Sequence, residues 1–219
     1  MKKGFYLILF IIIAIVSCKK KDSESTPTLN IIYQDDLTTD KQTWLTDSSS
    51  THLRKFYQGH YLLREDTIGQ FVYSLAPYGT LNFAYSVQVD AIIQLDNPYK
   101  IGEIGFVFNF IDDNNFHLLE IYSNGTYRIY VRNNGNYSSI VTTTFCSTIK
   151  TGSGVKNTIK IIQNKTTMEL QINNISINTF SIPISNVNTR IGLTTGTGVS
   201  LNNFTPVTGL FNNFILIKI

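Results

Sequence analysis

The chain has 219 residues, of which 15% are charged and 12% aromatic, and its formal net charge is +3. Lys2 and Lys3 lie at the amino terminus, and without them basic side chains exceed acidic ones by one. So small a charge predicts no basic face, which argues against nucleic acid as a partner. A chain of this length forms one domain of sandwich or barrel size.

The amino terminus has the parts of a secretory signal: Lys2 and Lys3, an apolar run over residues 5–16, and a small residue before Cys18. The run is shorter than the roughly 20 residues of a membrane-spanning helix, so an uncleaved anchor is the less favoured alternative. Residues 15–18, Ile-Val-Ser-Cys, resemble the bacterial lipobox, which implies cleavage before Cys18 and lipid on its thiol. Two or three acyl chains anchor a protein stably. We expect residues 1–17 to be a lipoprotein signal peptide and the mature protein to lie in the bacterial cell envelope, on the outer membrane.

Residues 18–30 are polar, contain Pro27 and show no apolar periodicity, which predicts a flexible tether behind the lipidated cysteine. Acid-rich tags at this position mark surface export in some bacterial lipoproteins. Here three lysines, residues 19–21, come first, so surface and periplasmic orientations both stay open. Lipid on Cys18 would leave Cys146 without a partner in its own chain, and we expect a buried, unreactive thiol there.

From residue 31 onward almost every segment favours β-strand. Seven runs are rich in Val, Ile, Tyr, Phe and Thr: Gln70–Ser74, Asn82–Leu95, Glu103–Ile111, Phe116–Tyr122, Thr126–Val131, Asn157–Gln163 and Thr167–Ile172. No long window shows helical spacing. Residues 31–219 are therefore expected to form an antiparallel sandwich or barrel. The final run, residues 213–219, is apolar and should pair inside a sheet, because an exposed apolar edge invites aggregation.

Three dipeptides predict tight hairpins: Asn124-Gly125, Asn134-Gly135 and Asn173-Asn174. Asn and Gly tolerate the positive φ that two-residue hairpin turns require. A two-residue turn at Asn124-Gly125 would place four polar or aromatic side chains on one outward face: His117, Arg128, Tyr130 and Arg132. We favour that register. The alternative is a three-residue turn, which places Glu120 directly opposite Arg128 as a cross-strand ion pair.

Apolar residues alternate with others along residues 103–111, and this alternation predicts which side chains of the preceding strand point inward. Ile104, Phe106, Phe108 and Phe110 occupy even positions and are expected to point inward. Asn109 would then be the outward polar residue of this strand.

Several stretches, taken in order, resemble the centre of concanavalin A-like lectin/glucanase domains, and most closely the laminin-G-like and bacterial secreted members. They are Gly59–Leu63, Ile104–Phe108, Asp112–Phe116, Glu120–Ile121, Tyr127–Ile129, Asn157–Ile161, Met168–Asn174, Arg190–Leu193 and Phe211–Phe214. The resemblance spans residues 31–219. It implies an all-β, antiparallel two-sheet β-sandwich in jelly-roll order, with any ligand on the concave face.

Glucanases of this fold carry the spacing Glu-x-Asp-x-x-Glu, which puts alternate carboxylates on one face of a strand. Neither Glu103 nor Glu120 begins such a motif, and the chain has only five glutamates. A carboxylate pair is therefore hard to assemble, and we expect a protein that is not an enzyme. A glycoside hydrolase or lyase of unusual site design remains the alternative.

The candidate carbohydrate-binding residues are Trp44, Asn109, His117, Arg128, Tyr130 and Arg132. For Trp44, packing in the core or at the rim of the sandwich is the favoured interpretation, and stacking on a ligand is the alternative. Asp112 and Asp113 offer oxygen ligands of the kind that calcium takes, although a polar turn explains them as well. No other cofactor is expected.

These observations lead to one functional hypothesis, a lipid-anchored sandwich that binds a polysaccharide or a glycan-bearing protein without cleaving it. Its membrane contact would be the lipid on Cys18. A structural or assembly lipoprotein that contacts another envelope protein is a further alternative.

Overall fold

A computed structural model describes residues 29–97, 99–184, 188–197 and 206–219. The signal peptide, Cys18 and almost all of the tether lie outside these residues, so the lipid anchor stays a prediction. Fifteen strands occupy the described part of the chain: β1 (Asn30–Asp35), β2 (Asp47–Ser48), β3 (His52–Tyr57), β4 (His60–Glu65), β5 (Phe71–Leu75), β6 (Tyr85–Leu95), β7 (Glu103–Asp112), β8 (Asn115–Tyr122), β9 (Thr126–Asn133), β10 (Asn136–Phe145), β11 (Lys156–Gln163), β12 (Met168–Ile172), β13 (Ile175–Phe180), β14 (Arg190–Gly196) and β15 (Val207–Lys218). No helix in this part of the chain has the length and apolar character needed to cross a membrane.

The strands form two sheets, and every neighbouring pair is antiparallel. The nine-stranded sheet has the order β13-β12-β11-β6-β15-β4-β3-β2, and β1 also pairs with β15. The six-stranded sheet has the order β10-β9-β8-β7-β14-β5. The predicted all-β, antiparallel two-sheet sandwich is therefore confirmed.

Strand β15 is the centre of the nine-stranded sheet. It pairs with β6 along one side, while on the other side residues 207–211 pair with β4 and residues 214–218 pair with β1. The change of partner falls at an irregularity in the ladder beside Asn213, whose φ is 55°. The expectation that the last strand pairs inside a sheet is confirmed, although the strand begins earlier, at Val207.

Trp44 lies in the core between the sheets, with 3% of its surface exposed. Its ring centroid is 5.3 Å from that of Tyr61 and 5.2 Å from that of Phe214. A ring enclosed in this way cannot stack against an external sugar. The candidate role of Trp44 in carbohydrate binding is therefore corrected to core packing, which was the favoured interpretation of this residue. Cys146 is also buried, and its thiol forms no disulfide with any described residue.

The turns differ in the number of residues they contain. Asn134 and Gly135 both have positive φ and connect the paired residues Asn133 and Asn136, which is the predicted two-residue hairpin. Asn173-Asn174 forms the same kind of turn between Ile172 and Ile175.

The hairpin at Asn124-Gly125 has a three-residue loop, residues 123–125, between β8 and β9. Only Gly125 in this loop adopts positive φ, and Glu120 lies directly opposite Arg128. The favoured two-residue register is wrong, and the alternative register is the correct one. His117 consequently shares the core side of β8 with Leu119, while Arg128, Tyr130 and Arg132 lie on the outer side of β9.

The alternation predicted for β7 holds for Ile104, Phe106 and Phe108, which all lie in the main core. It fails at Asn109, where φ is 47° and the pairing with both neighbouring strands shifts register. Such an irregularity reverses the face on which the following side chain lies. Phe110 therefore packs on the outer face of the sheet, in a second apolar cluster with Phe116.

Replacing Trp44 with Ala should lower the free energy of unfolding by about 3–5 kcal/mol, because a large buried ring is lost from the core. Urea denaturation followed by far-ultraviolet circular dichroism measures the change. Leu45→Ala is the matched control, since the neighbouring Leu45 is 52% exposed and should change stability by less than about 0.5 kcal/mol. Equal effects of the two substitutions would contradict the core position of Trp44.

Candidate binding cleft

The outer face of the six-stranded sheet carries a cleft with a volume of about 340 Å³. Its floor is formed by side chains from three adjacent strands: Glu103 on β7, Glu120 on β8, and Arg128 and Tyr130 on β9. Its walls come from the two edge strands of the sheet, β5 and β10, with the loop before β5. The six-stranded sheet is therefore concave on this face, and both of its edge strands line the same cleft.

Two carboxylates meet in the floor because β7 and β8 are neighbours. Glu103 pairs with Tyr122, and Glu120 pairs with Gly105, so the two glutamates occupy diagonal positions on the same face. The expectation that a carboxylate pair is hard to assemble is therefore wrong. A search for cross-strand neighbours, instead of a motif along one strand, would have found them.

Glu120 accepts hydrogen bonds at both of its carboxylate oxygens. Its Oε2 accepts hydrogen bonds from Arg128 Nε and, at 2.5 Å, from Tyr122 Oη, and its Oε1 accepts one from Tyr130 Oη at 3.0 Å. Only 1% of its surface is exposed. A buried carboxylate is tolerated when a cation and additional donors compensate the loss of water, and Glu120 has all of these.

Arg128 has hydrogen-bond donors that no described residue uses. It uses Nε for Glu120, while Nη1 and Nη2 make no hydrogen bond with any described residue. Its side chain is 23% exposed and its guanidinium lies over the ring of Tyr130, 5.0 Å from the ring centroid. Burial alone would lower the pKa of Arg128, but the hydrogen bond and charge of Glu120 raise it, so the cation persists. The guanidinium therefore presents two free N–H₂ groups beside the cleft.

Glu103 is less well compensated than Glu120, although the charge of Arg128 and a hydrogen bond with Tyr122 act in its favour. It is 3% exposed, and its Oε2 has no hydrogen-bond partner among the described residues. Burial, together with the negative charge of Glu120, raises the pKa of Glu103 well above its usual value. The neighbouring strand makes room for this carboxyl group with Gly196, because a Cβ at that position would collide with Oε1.

The walls of the cleft are mixed in polarity. Tyr137 is 53% exposed on β10, and the guanidinium of Arg132 lies over its ring at 5.0 Å from the centroid. Ser138 and Ser139 follow it along the strand, and Phe71 lies at the opposite edge. An exposed ring beside free hydrogen-bond donors offers both stacking and polar contacts to a ligand.

Four of the six predicted site residues are not part of this cleft, and one of these, Trp44, lies in the core. Asn109, His117 and Arg132 line a second cavity of about 520 Å³, which also contacts Lys165 and Pro183 from the other sheet's loops. Asn109 is only 4% exposed, so it does not offer an open polar surface to a ligand. Burial lowers the pKa of His117 to about 4, and its ring packs against Phe108. Of the six predicted residues, the cleft contains Arg128 and Tyr130.

Asp112 is the last residue of β7, and Asp113 lies in the turn before β8. The carboxylate of Asp112 accepts hydrogen bonds from the backbone of Asn114 and the side chain of Asn115, and that of Asp113 accepts one from Tyr73 Oη. These contacts fit the polar-turn interpretation. Among the described residues, no group of three or more His, Cys, Asp or Glu side chains is placed to hold a metal ion. The polar turn stays the favoured interpretation, with a structural calcium ion as the alternative.

Comparisons with solved structures identify the fold. The carbohydrate recognition domain of Emp47p is 16% identical with a TM-score of 0.63, and the match covers 89% of this chain and 99% of that one. The carbohydrate-binding module CBM66 from Bacillus subtilis is 14% identical with a TM-score of 0.58, over 80% of this chain and 96% of that one. A structure reported with the endo-acting O-glycanases of the human gut microbiota is 10% identical with a TM-score of 0.59, over 87% and 100%.

These similarities show that the chain has the lectin-like, concanavalin A-like jelly-roll fold. At such low identity they do not transfer a ligand or an activity. No protein-family model and no curated protein sequence matches the chain.

Replacing Glu103 with Gln should remove a pH dependence of stability. A folded-state pKa raised above the unfolded value, about 4.3 for Glu, means that the folded protein binds the extra proton. The stability that the wild type has in excess of Glu103→Gln should therefore fall as pH rises above about 4.3, until the folded-state pKa of Glu103 is passed. Other groups with shifted pKa values, such as His117 and Glu65, are present in both proteins and cancel in this difference. Urea denaturation at a series of pH values from 4 to 8 measures it.

Glu169→Gln on β12 is the control for this experiment. Hydrogen bonding from Gln171 lowers the pKa of Glu169, so its removal affects stability in the opposite sense. The decline attributed to Glu103 should persist in this variant. A stability difference between the wild type and Glu103→Gln that does not change with pH would mean that Glu103 is ionised in the folded protein.

Proposed function

We propose that this protein binds carbohydrate in the cleft on the outer face of its six-stranded sheet, without cleaving it. The observation that carries the proposal is the combination in one cleft of the free Nη1 and Nη2 groups of Arg128 with the exposed ring of Tyr137. Sugars present hydroxyl oxygens at their edges and C–H groups on their faces. A hydrogen-bonding fork beside an aromatic ring matches both surfaces.

The solved structures add support of a different kind. Two of the similar proteins bear names that assign them carbohydrate binding, namely the Emp47p recognition domain and CBM66. The shared fold makes the same class of ligand a reasonable first test for this chain. The ligand itself is inferred from the cleft.

Binding without cleavage is supported by the state of Glu120. A nucleophilic or basic carboxylate needs a lone pair directed at the substrate or at a water molecule. Both oxygens of Glu120 already accept hydrogen bonds from Arg128, Tyr122 and Tyr130, and the group is almost fully buried. It therefore acts as a fixed anion that orients Arg128.

The location that we propose is the bacterial cell envelope, with the mature protein held on the outer membrane by lipid on Cys18. The support comes from the sequence of the leader and from residues 15–18. A lipid anchor followed by a polar tether would keep a sugar-binding domain close to the membrane while leaving its cleft free.

Hydrolysis of a glycosidic bond is the second candidate function, because Glu103 and Glu120 are neighbours with different environments. A carboxyl group with a raised pKa beside an ionised carboxylate is the arrangement from which glycosidases build an acid and a nucleophile. Incubation of the protein with each polysaccharide that it binds, followed by measurement of reducing ends, separates the two candidates. Release of reducing sugar that Glu103→Gln abolishes would establish hydrolysis.

Replacing Tyr137 with Ala should weaken carbohydrate binding by about tenfold, since one stacking platform is worth roughly 1–2 kcal/mol. The full chain, extracted in a zwitterionic detergent without a sugar headgroup, is passed through affinity gels that contain plant, fungal and bacterial polysaccharides. The shift in mobility measures the affinity. Tyr137→Phe is the matched control, because it keeps the ring and should retain most of the binding.

The wild type should be retarded by at least one of these gels. Absence of retardation on every polysaccharide, with circular dichroism showing a folded β protein, would overturn the proposed function. Equal binding by Tyr137→Ala and the wild type would exclude the cleft as the site.

A further inference from the structure

We propose that the cleft selects uncharged sugars, and that Arg128 binds two neighbouring hydroxyl oxygens of one ring through Nη1 and Nη2. This inference rests on the proposed carbohydrate binding and names the class of sugar that the same site accepts. It also makes Arg128 the residue that determines specificity.

The first argument is the geometry of the fork. Guanidinium presents its N–H groups in one plane, so two of them reach a pair of oxygens at the same time. In Arg128 the Nε side of that plane is occupied by Glu120, which fixes the orientation of the group. The remaining edge, with Nη1 and Nη2, has no protein partner among the described residues. A pair of vicinal hydroxyls would match this edge in shape, and so would a carboxylate.

The second argument is charge, which separates these two ligands. Among the described side chains that line the cleft, Arg128 is the one cation, and Glu103 and Glu120 are both acids. Glu120 already neutralises Arg128 through their ion pair. The floor therefore carries a net charge of zero if Glu103 is protonated and a negative charge if it is ionised. In neither state does the floor carry an uncompensated positive charge. The free-energy cost of removing water from an anionic sugar would therefore not be offset there.

The third argument concerns the surroundings of the floor. Arg132 is the nearest further cation, at the rim above the ring of Tyr137. Its Nη1 donates to the backbone oxygen of Asp113 at 2.7 Å and its Nε to that of Gly135 at 3.3 Å. These contacts turn its donors toward the β7–β8 and β9–β10 turns. Nη1 and Nε of Arg132 are therefore engaged by these turns and do not donate to a ligand at the floor.

The test compares ligands that differ only at C6, where a carboxylate replaces the hydroxymethyl group. Each neutral sugar is paired with its uronic acid: glucose with glucuronate, galactose with galacturonate, and mannose with mannuronate. Both members of each pair are used to compete with the best polysaccharide from the affinity gels, at constant ionic strength. At least one neutral sugar should compete about tenfold better than its uronate, which corresponds to about 1.4 kcal/mol.

Two variants test the role of the ion pair. Arg128→Lys keeps a positive charge beside Glu120 but removes the planar fork, and should weaken binding of the neutral sugar about tenfold or more. Glu120→Gln removes the compensating charge and leaves Arg128 unneutralised, so it should gain affinity for the uronate. Lys55→Gln, on the outer face of the other sheet, is the control and should change neither ligand. Circular dichroism checks the folding of each variant, and Arg128→Lys alone decides the role of the fork if Glu120→Gln does not fold.

The outcomes separate this inference from the proposed function. Stronger competition by a uronate than by its neutral partner would overturn the selection of uncharged sugars while leaving carbohydrate binding intact. Full binding by folded Arg128→Lys would overturn the role of the fork. Failure of the wild type to bind any polysaccharide would overturn the proposed function, and the inference with it.

Discussion

Glu120 and Arg128 lie directly opposite each other on β8 and β9, and the arrangement of the cleft depends on this pair. Each of the two groups would be costly to place on a sheet without the other, because an unpaired charge shielded from water destabilises the fold. The pair exists only because the turn between the two strands has three residues. A change of register by one residue would move every side chain of β9 to the opposite face. The turn at Asn124-Gly125 therefore determines both the packing of the sheet and the chemistry of its outer face.

Much of the fold could be predicted from the sequence, because strand composition and turn chemistry are local properties. Asn134-Gly135 and Asn173-Asn174 form the expected two-residue turns, since both residues of each accept positive φ. The same reasoning could not distinguish two residues from three at Asn124-Gly125. Glycine suits the last position of the longer loop as well as it suits the shorter one. Only the contact between Glu120 and Arg128, which lie on separate strands, resolves the difference.

The floor of the cleft was not predictable for a similar reason. Glu103 and Glu120 are brought together by the pairing of β7 with β8, and that pairing contains an irregularity at Asn109. The irregularity also moves Phe110 to the outer face, against the alternation that Ile104, Phe106 and Phe108 follow. The sequence pattern of a single strand does not specify the register in which that strand pairs with its neighbour. Arg128 and Tyr130 were found because their face was identified, although the register used to identify it was wrong.

The position of β15 has a consequence for how the protein is made. This strand contains the last residues of the described sandwich, yet it lies between β6 on one side and β4 and β1 on the other. A nascent chain that ends before β15 therefore lacks the strand that joins β6 to β4 and β1 in one sheet. Pairings between such distant segments form slowly, because the chain must close large loops first. The sandwich can close only after translation has passed residue 218, and a nascent chain that stops earlier leaves the edges of β4 and β6 unpaired.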